Sequence, residues 1–510
     1  MIFQPETRSR LLPQSTSPWK ALTCIAFALA VWGAKLWIIS RFGNPTPLAD
    51  EWDVHAVNIF VPYCDSTLSL QQLLAPHNEH RIVTTRAVAL LLFVANGAWD
   101  PILEMIVNAT IHVGFGVCIL AILGRDIDRA AFAALAAISL ALLAVPNAVE
   151  NPVWGMETHF YGVLLFGFIA INLLAREPGA RRAFGVAAAT LSFLSLASGA
   201  FVFLVCAAVV SAKRWLGVER GRWEWAIAGA LLAGFVLAVT ATPILVAHEV
   251  YRAHSVGEFL QAFAAVAGWP LRPYLVVATV VVNAPWLALA WRTLRKPPPS
   301  NDIAWALLAL GLWLGLQFAA LAFTRAFGID ATRYLDICAL NLIVNFACAA
   351  VMGGGPLRKC LVAGWVAVIA VGWAIQTVRH VPQELQARHL LSLRQEENVK
   401  AFLTTGKYLP GASNADLSIP YPFPNRLDGL LSDPRVRRIL PGTFQDAMAK
   451  QLPAGEVSAK RDRLAGIRDA LLSAGPYLAS IGLLLFLLAL GMLFVRRGNA
   501  APRPTRANAE

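Results

Sequence analysis

Charge is scarce in this 510-residue chain. Asp, Glu, Lys and Arg make up only 15% of it, while 57% is hydrophobic and the mean hydropathy is +0.57. Soluble globular domains carry about a quarter charged residues, so a soluble enzyme is excluded. Paired cysteines are lacking too. Of seven cysteines, Cys24, Cys118, Cys206, Cys338, Cys348 and Cys360 fall in or beside apolar runs and Cys64 alone sits in a polar stretch, which leaves no disulfide framework. No small-residue cleavage site follows the first apolar run, Trp19 to Ile39, so that run reads as a span rather than a cleaved signal. Alternating apolar and polar strand patterns are absent, which excludes a membrane β-barrel. The net charge of +12 does not indicate nucleic acid, because most basic residues fall in short loops between apolar runs.

What remains is a series of solidly apolar runs. A bilayer crossing takes about 20 such residues. The runs predict an all-α polytopic membrane protein of about twelve spans: 19–40, 101–123, 130–146, 159–175, 183–198, 200–212, 224–247, 273–291, 303–323, 336–352, 360–378 and 476–495. The pair 183–198 and 200–212 also reads as one long or broken helix around Ser198 and Gly199.

Residues 82–98 decide the topology. They are apolar but short and carry Arg86. Read as a surface helix, they leave Arg125, Arg129, Arg176, Arg181, Arg182, Lys213, Arg214, Arg292, Arg295, Lys296, Arg358 and Lys359 on one side with both termini, including Arg8 and Arg10. The positive-inside rule makes that side cytoplasmic. The expected division is a membrane module at 1–378 with a first outer loop at 42–100, a small extracytoplasmic segment at 379–474, and a last span and tail at 475–510. A small helical cap is the expected form of 379–474, and disorder that of the tail after Gly498.

This topology gathers the ionisable residues on the other side. The stretch 48–86 carries Asp50, Glu51, Asp53 and His55, then His77, Glu79, His80 and Arg81. Later loops add Glu150, Trp154, Glu157 and His159, then His248, Arg252 and His254, then Arg325, Arg333 and Tyr334. Carboxylates serve as general bases and arginines pair phosphate in a bidentate way, so the set suits group transfer from a lipid phosphate. Trp154 and Glu157 suit sugar stacking and hydrogen bonding. Glu104, Asn108 and His112 share one face of the span 101–123, for function or for helix packing. Structural readings exist for others as well: Asp50 as a helix cap, and Arg333 and Tyr334 as interfacial anchors. His, Glu and Asp also ligate divalent ions, but no spacing here is diagnostic of a metal.

The acidic pair in ADEWD just past the first span, with APHNEHR closing the loop before a surface helix, resembles the GT-C superfamily of glycosyltransferases. The likeness is to the protein O-mannosyltransferases and the aminoarabinose transferase of lipid A, which open this loop with Asp-Glu and close it with a His-Pro-Pro-Leu-like segment. APHNEHR stands at that second place with a different sequence. The order of elements matches over roughly the first 180 residues. The resemblance implies a polyprenyl-phosphate-linked sugar as donor, a glycan, lipid or protein acceptor, and an extracytoplasmic site in a bacterial inner membrane. It implies Asp50 as base, assisted by Glu51, with Arg81, Arg325 and Arg333 on the phosphate. The competing expectations are an O-antigen polymerase or ligase, whose functional loops come late in the chain, and a lipid-linked sugar flippase, whose polar groups belong at the bilayer midplane.

Overall fold

The computed structural model describes residues 18–177, 179–271, 275–449 and 462–498. The segment with Arg8 and Arg10, the start of the span expected at 273, the side chains of Arg496 and Arg497 and the tail after Gly498 lie outside what is described. Helix dominates the described residues, with no strand among them, and the protein is an α-helical, multi-pass membrane protein. Among them, nine helices are long and apolar enough to cross a bilayer: Pro18–Phe42, Pro101–Leu123, Gly155–Arg176, Ala197–Trp215, Val276–Arg295, Ile303–Thr324, Thr332–Val351, Pro356–Thr405 and Ala465–Met492. The spans expected at 130–146 and 224–247 appear as the shorter apolar helices Arg129–Ala144 and Glu224–Thr240. The stretch 183–212 is two helices. One ends at Ser195, and the chain restarts through a turn at Ala197–Ala200 that presses Gly199 against the Ser192 carbonyl.

Helix starts follow local chemistry. Asp100 accepts from the Ile102 and Leu103 N–H groups ahead of Pro101, Asp128 from Ala131 and Asp302 from Ala304. Each satisfies a donor that would otherwise be orphaned at a helix N-terminus. Helices 18–42 and 465–498 run in close contact. A Cβ on Gly33 would meet the Ala479 backbone nitrogen at 2.1 Å, and one on Gly482 would meet that of Ala30 at 2.2 Å. Small residues let apolar helices approach closely where no hydrophobic drive exists between them.

Helix Val83–Asn96 does not cross the bundle. Lys20, near the start of the first span, donates to the Gly124 carbonyl at the end of helix Pro101–Leu123. Gly43, past the other end of the first span, lies against Ile102. The loop 43–100 therefore leaves and re-enters at one end. Gly97, with φ +77°, closes the helix in a left-handed C-cap.

The first loop and the late segment build a second core. Trp52, Phe60, Phe93 and Trp99 from the first loop pack with Val399, Phe402, Leu427, Leu431, Ile439 and Phe444 from the late segment. Within the expected segment 379–474, the described residues up to 449 thus fold as a helical cap on the first loop. The boundary expected at 378 falls inside one continuous helix, Pro356–Thr405.

Candidate functional site

The loop after the first span turns through Ala49, whose φ of +44° is unusual for a residue with a Cβ. The cap holds this turn, since the Ala49 N–H donates to the Pro420 carbonyl at 2.6 Å. A π-helix follows over Trp52–Phe60. Such wide turns are rare and recur at functional sites. Near the end of the loop, His77 and His80 exchange backbone hydrogen bonds around Asn78, itself at φ +50°. Asn tolerates that conformation.

The two turns meet. His77 Nε2 lies 3.1 Å from Asp50 Oδ2. Burial works against the charge on Asp50, but the His77 hydrogen bond and the nearby His77 ring and Arg333 guanidinium outweigh it and hold the carboxyl below its ordinary range. Asp50 is therefore ionised at neutral pH. Its side chain pairs with His77 rather than capping the helix.

Asp50 opens into a cavity of about 480 Å³ at this end of the bundle, within the roughly 300–1,000 Å³ usual for small-molecule sites. His77, Glu79, His80, Trp154, Glu157, His159, Arg325, Arg333 and Tyr334 also line it. The opposite wall is apolar and comes from helix ends: Phe160, Leu196, Phe201, Val239, Ile244, Leu321 and Ile337. Val239 and Ile244 are themselves exposed, beside exposed Val236, Leu237 and Val246. The apolar wall is therefore continuous with apolar outer surface.

Two arginines reach the cavity from the 325–334 loop. Arg325 Nη2 lies 3.2 Å from Glu79 Oε2, and His248 Nδ1 bonds the other Glu79 oxygen. Burial opposes the Glu79 charge, yet the His248 hydrogen bond and Arg325 hold its carboxyl below the usual range. His80 is half-buried beside this pair, and desolvation lowers its imidazole to about 4. Arg333 Nη1 lies 3.4 Å from Glu150 Oε2, and Arg388 pairs the other oxygen. Several buried polar atoms of the lining make no hydrogen bond: Trp154 Nε1, His80 Nδ1 and both carboxylate oxygens of Glu157.

Ten of the eighteen outer residues gathered from sequence line this cavity, and eight, Glu150 and His254 among them, do not. Glu51 is 1% exposed and faces away from Asp50, toward His55 and Glu104. The expectation that it assists Asp50 in the cavity is corrected, because consecutive residues at the start of a helix project in different directions. His55 is fully buried in the same cluster. Asp53 turns outward and pairs with Arg426 and Tyr421 of the cap. Arg81 donates to the Ala241 and Leu74 carbonyls, so it clamps the loop to the end of helix Glu224–Thr240 instead of facing the cavity. His248 stands behind Glu79, and Arg252 faces Glu249 at 3.8 Å. Sequence reasoning left Ser198, Thr242, Gln317 and Thr324 out of the site, and all four line the cavity. Only Ser198 carried a signal, as a break between two apolar runs. On span 101–123, Asn108 donates to the Gly155 carbonyl at 2.7 Å and accepts from Thr158, so the shared face anchors the turn that carries Trp154 and Glu157.

No family model matches the chain, and comparison with curated proteins and with solved structures returns no match. What can be defined is a class: an α-helical membrane protein with an amphipathic cavity where its first loop and several helix ends meet.

Proposed function

We propose that the protein is a glycosyltransferase of the GT-C type, which moves a sugar from a polyprenyl-phosphate donor to a cell-envelope acceptor. It works in a bacterial inner membrane, with the cavity on the extracytoplasmic side and both termini cytoplasmic. One observation carries the reading: an ionised carboxylate and two arginines share a cavity whose other wall is apolar and continuous with the exposed surface of the bundle. That combination suits a ligand with a charged head and a hydrocarbon tail.

In this reading Asp50 accepts the proton of the acceptor hydroxyl or amine as the acceptor attacks the anomeric carbon. His77 holds the carboxylate in place. The bond between the anomeric carbon and the phosphate oxygen breaks, and the lipid phosphate leaves with the bonding electrons. Arg325 and Arg333 face the charge that develops on it. Trp154 stacks on the sugar, with its free N–H as donor, and Glu157 accepts from sugar hydroxyls. The tail lies along Val239, Ile244 and Leu321.

The test is transfer from a panel of polyprenyl-phosphate sugars by purified wild type, Asp50→Asn and Arg333→Ala, each checked for folding. Transfer by wild type that collapses in Asp50→Asn with donor binding retained supports the assignment. Equal activity in Asp50→Asn removes Asp50 as base. Binding of lipid-linked sugar without transfer from any donor favours a flippase.

A further inference from the structure

Behind Asp50, on the side away from the cavity, three residues from two elements converge. Glu51 and His55 come from the start of the π-helix, and Glu104 comes from the first turn of span 101–123. All three are buried, at 1%, 0% and 3% exposure. One ligand atom from each lies within 4.8 Å of the other two. Transition-metal bonds of about 2.0–2.2 Å hold donors roughly 3–4 Å apart, so small side-chain rotations complete a coordination shell.

Their hydrogen bonding points the same way. His55 is fully buried, and neither ring nitrogen makes a hydrogen bond; Nδ1 stands 3.3 Å from Glu104 Oε2. Glu51 Oε1 and Glu104 Oε2 have no hydrogen-bond partner either. The second Glu51 oxygen is taken, since it accepts from the Leu48 N–H at 2.6 Å. That bond orients the carboxylate and leaves Oε1 aimed at the cluster, as outer contacts orient metal ligands. Gly155 closes the far side. A Cβ there would sit 2.8 Å from Glu104 Oε2 and 2.9 Å from Glu51 Oε1, the same two oxygens that lack partners. Trp52, Phe60, Trp99 and Met105 are buried nearby. Two carboxylates facing each other in such a shell are costly unless a shared proton or a positive charge joins them. A divalent ion with a neutral imidazole balances them.

We propose that Glu51, His55 and Glu104 bind one divalent transition-metal ion. The mixed oxygen and nitrogen donors select Zn²⁺ or Mn²⁺ over Ca²⁺ and Mg²⁺, which take oxygen alone. The three protein ligands leave room for water. The ion ties the residue next to Asp50 to span 101–123 and to the turn at Gly155. Its role is positional: it sets where Asp50 sits at the cavity edge, and it touches no substrate.

The test is metal analysis of the purified full-length protein in detergent, before and after incubation with ZnCl₂ or MnCl₂ and desalting, together with thermal unfolding. Wild type is expected to hold close to one equivalent of Zn²⁺ or Mn²⁺. Glu104→Gln and His55→Gln are expected to hold almost none and to unfold at lower temperature. Without an ion, Glu104→Gln has the opposite sign, because it relieves the contact between two carboxylates and raises the unfolding temperature. Wild type that takes up no metal overturns the proposal, and so does Glu104→Gln with wild-type metal content or a raised unfolding temperature. If either variant fails to fold, wild-type metal content still decides. No sugar donor enters the measurement, so its outcome is independent of the transferase assignment.

Discussion

Where the loops near 124–128, 216–223 and 296–302 meet, most of the buried or half-buried cations have partners in place. Arg176 pairs with Asp126 at 3.0 Å, Arg182 pairs with Glu219 and Glu224, and Lys213 donates to the Ala175 and Ser300 carbonyls. At the opposite end the pattern differs. Trp154 Nε1, both Glu157 oxygens, both His55 nitrogens and single oxygens of Glu51 and Glu104 are buried without a hydrogen bond. A buried polar group left unsatisfied costs about 1–3 kcal/mol. The first end is satisfied mostly by the protein's own groups, as orientation and headgroup contact require, with Arg214 Nε and Trp19 Nε1 as exceptions. The second carries a concentrated cost that ligands would offset. Charge density alone would have ranked the basic end higher. Satisfaction of the charges separates the two.

The contrast can be broken from either side. The largest effect expected is in catalysis: Asp50→Asn should lower sugar transfer about 10²–10⁴-fold while donor binding and folding hold, as read by transfer assays beside lipid-donor binding. Next comes the platform. Phe444 is fully buried in the second core. Phe444→Ala should cost about 3–5 kcal/mol of cap stability and expose the 399–449 segment to limited proteolysis, with helices of the main core protected. Smaller again, Arg325→Ala and Arg333→Ala should each weaken donor binding by about 1.5–3 kcal/mol, seen as a raised KM for the lipid-linked sugar.

A pH effect should be confined to the same end. The folded value of Glu79 is depressed, so its stabilising contribution is present above the ordinary carboxylate range and is lost on acidification through the folded value. His80 is lowered from 6.5 to about 4, so the fold is favoured above pH 6.5 and loses that contribution as pH falls toward 4. Both groups loosen the 77–81 turn in acid. Thermal unfolding between pH 8 and pH 4 should shift down with the wild type and less with a Glu79→Gln, His80→Asn double variant. The smallest effect belongs to the basic end. Arg181 is largely exposed in an i,i+4 pair with Glu177, and Arg181→Ala should cost about 0.3–0.5 kcal/mol and leave transfer unchanged.

The residues show why some features were legible in advance. Span-length apolar runs report membrane crossing directly, because the bilayer reads length and hydropathy locally. The short run at 82–98 was read as a surface helix from the basic loops around it, and it forms the helix Val83–Asn96, shorter than a full crossing. Asp50 and the His77–His80 turn were adjacent in the reading because they bound one loop. Span count was less legible: Arg129–Ala144 and Glu224–Thr240 are shorter than a full crossing by composition alone. The docking of 399–449 was illegible as well, since its few apolar residues show no partner until Trp52, Phe60 and Phe93 are placed against Phe402 and Phe444.

The sequence by itself therefore determined a helical membrane protein, the stretch that holds its ionisable groups and the end of the bundle where they gather. Those properties depend on neighbours in the chain. Tertiary structure decided which member of the acidic pair faces the cavity. Asp50 and Glu51 are consecutive and chemically alike, yet one meets His77 across the loop and the other meets His55 and Glu104 beneath it. It also decided that Arg81 clamps the Ala241 carbonyl while Arg325 reaches the cavity. Side-chain direction is set by the turn at Ala49, the width of the π-helix and the cap above it. All of these rest on contacts between residues far apart in the chain.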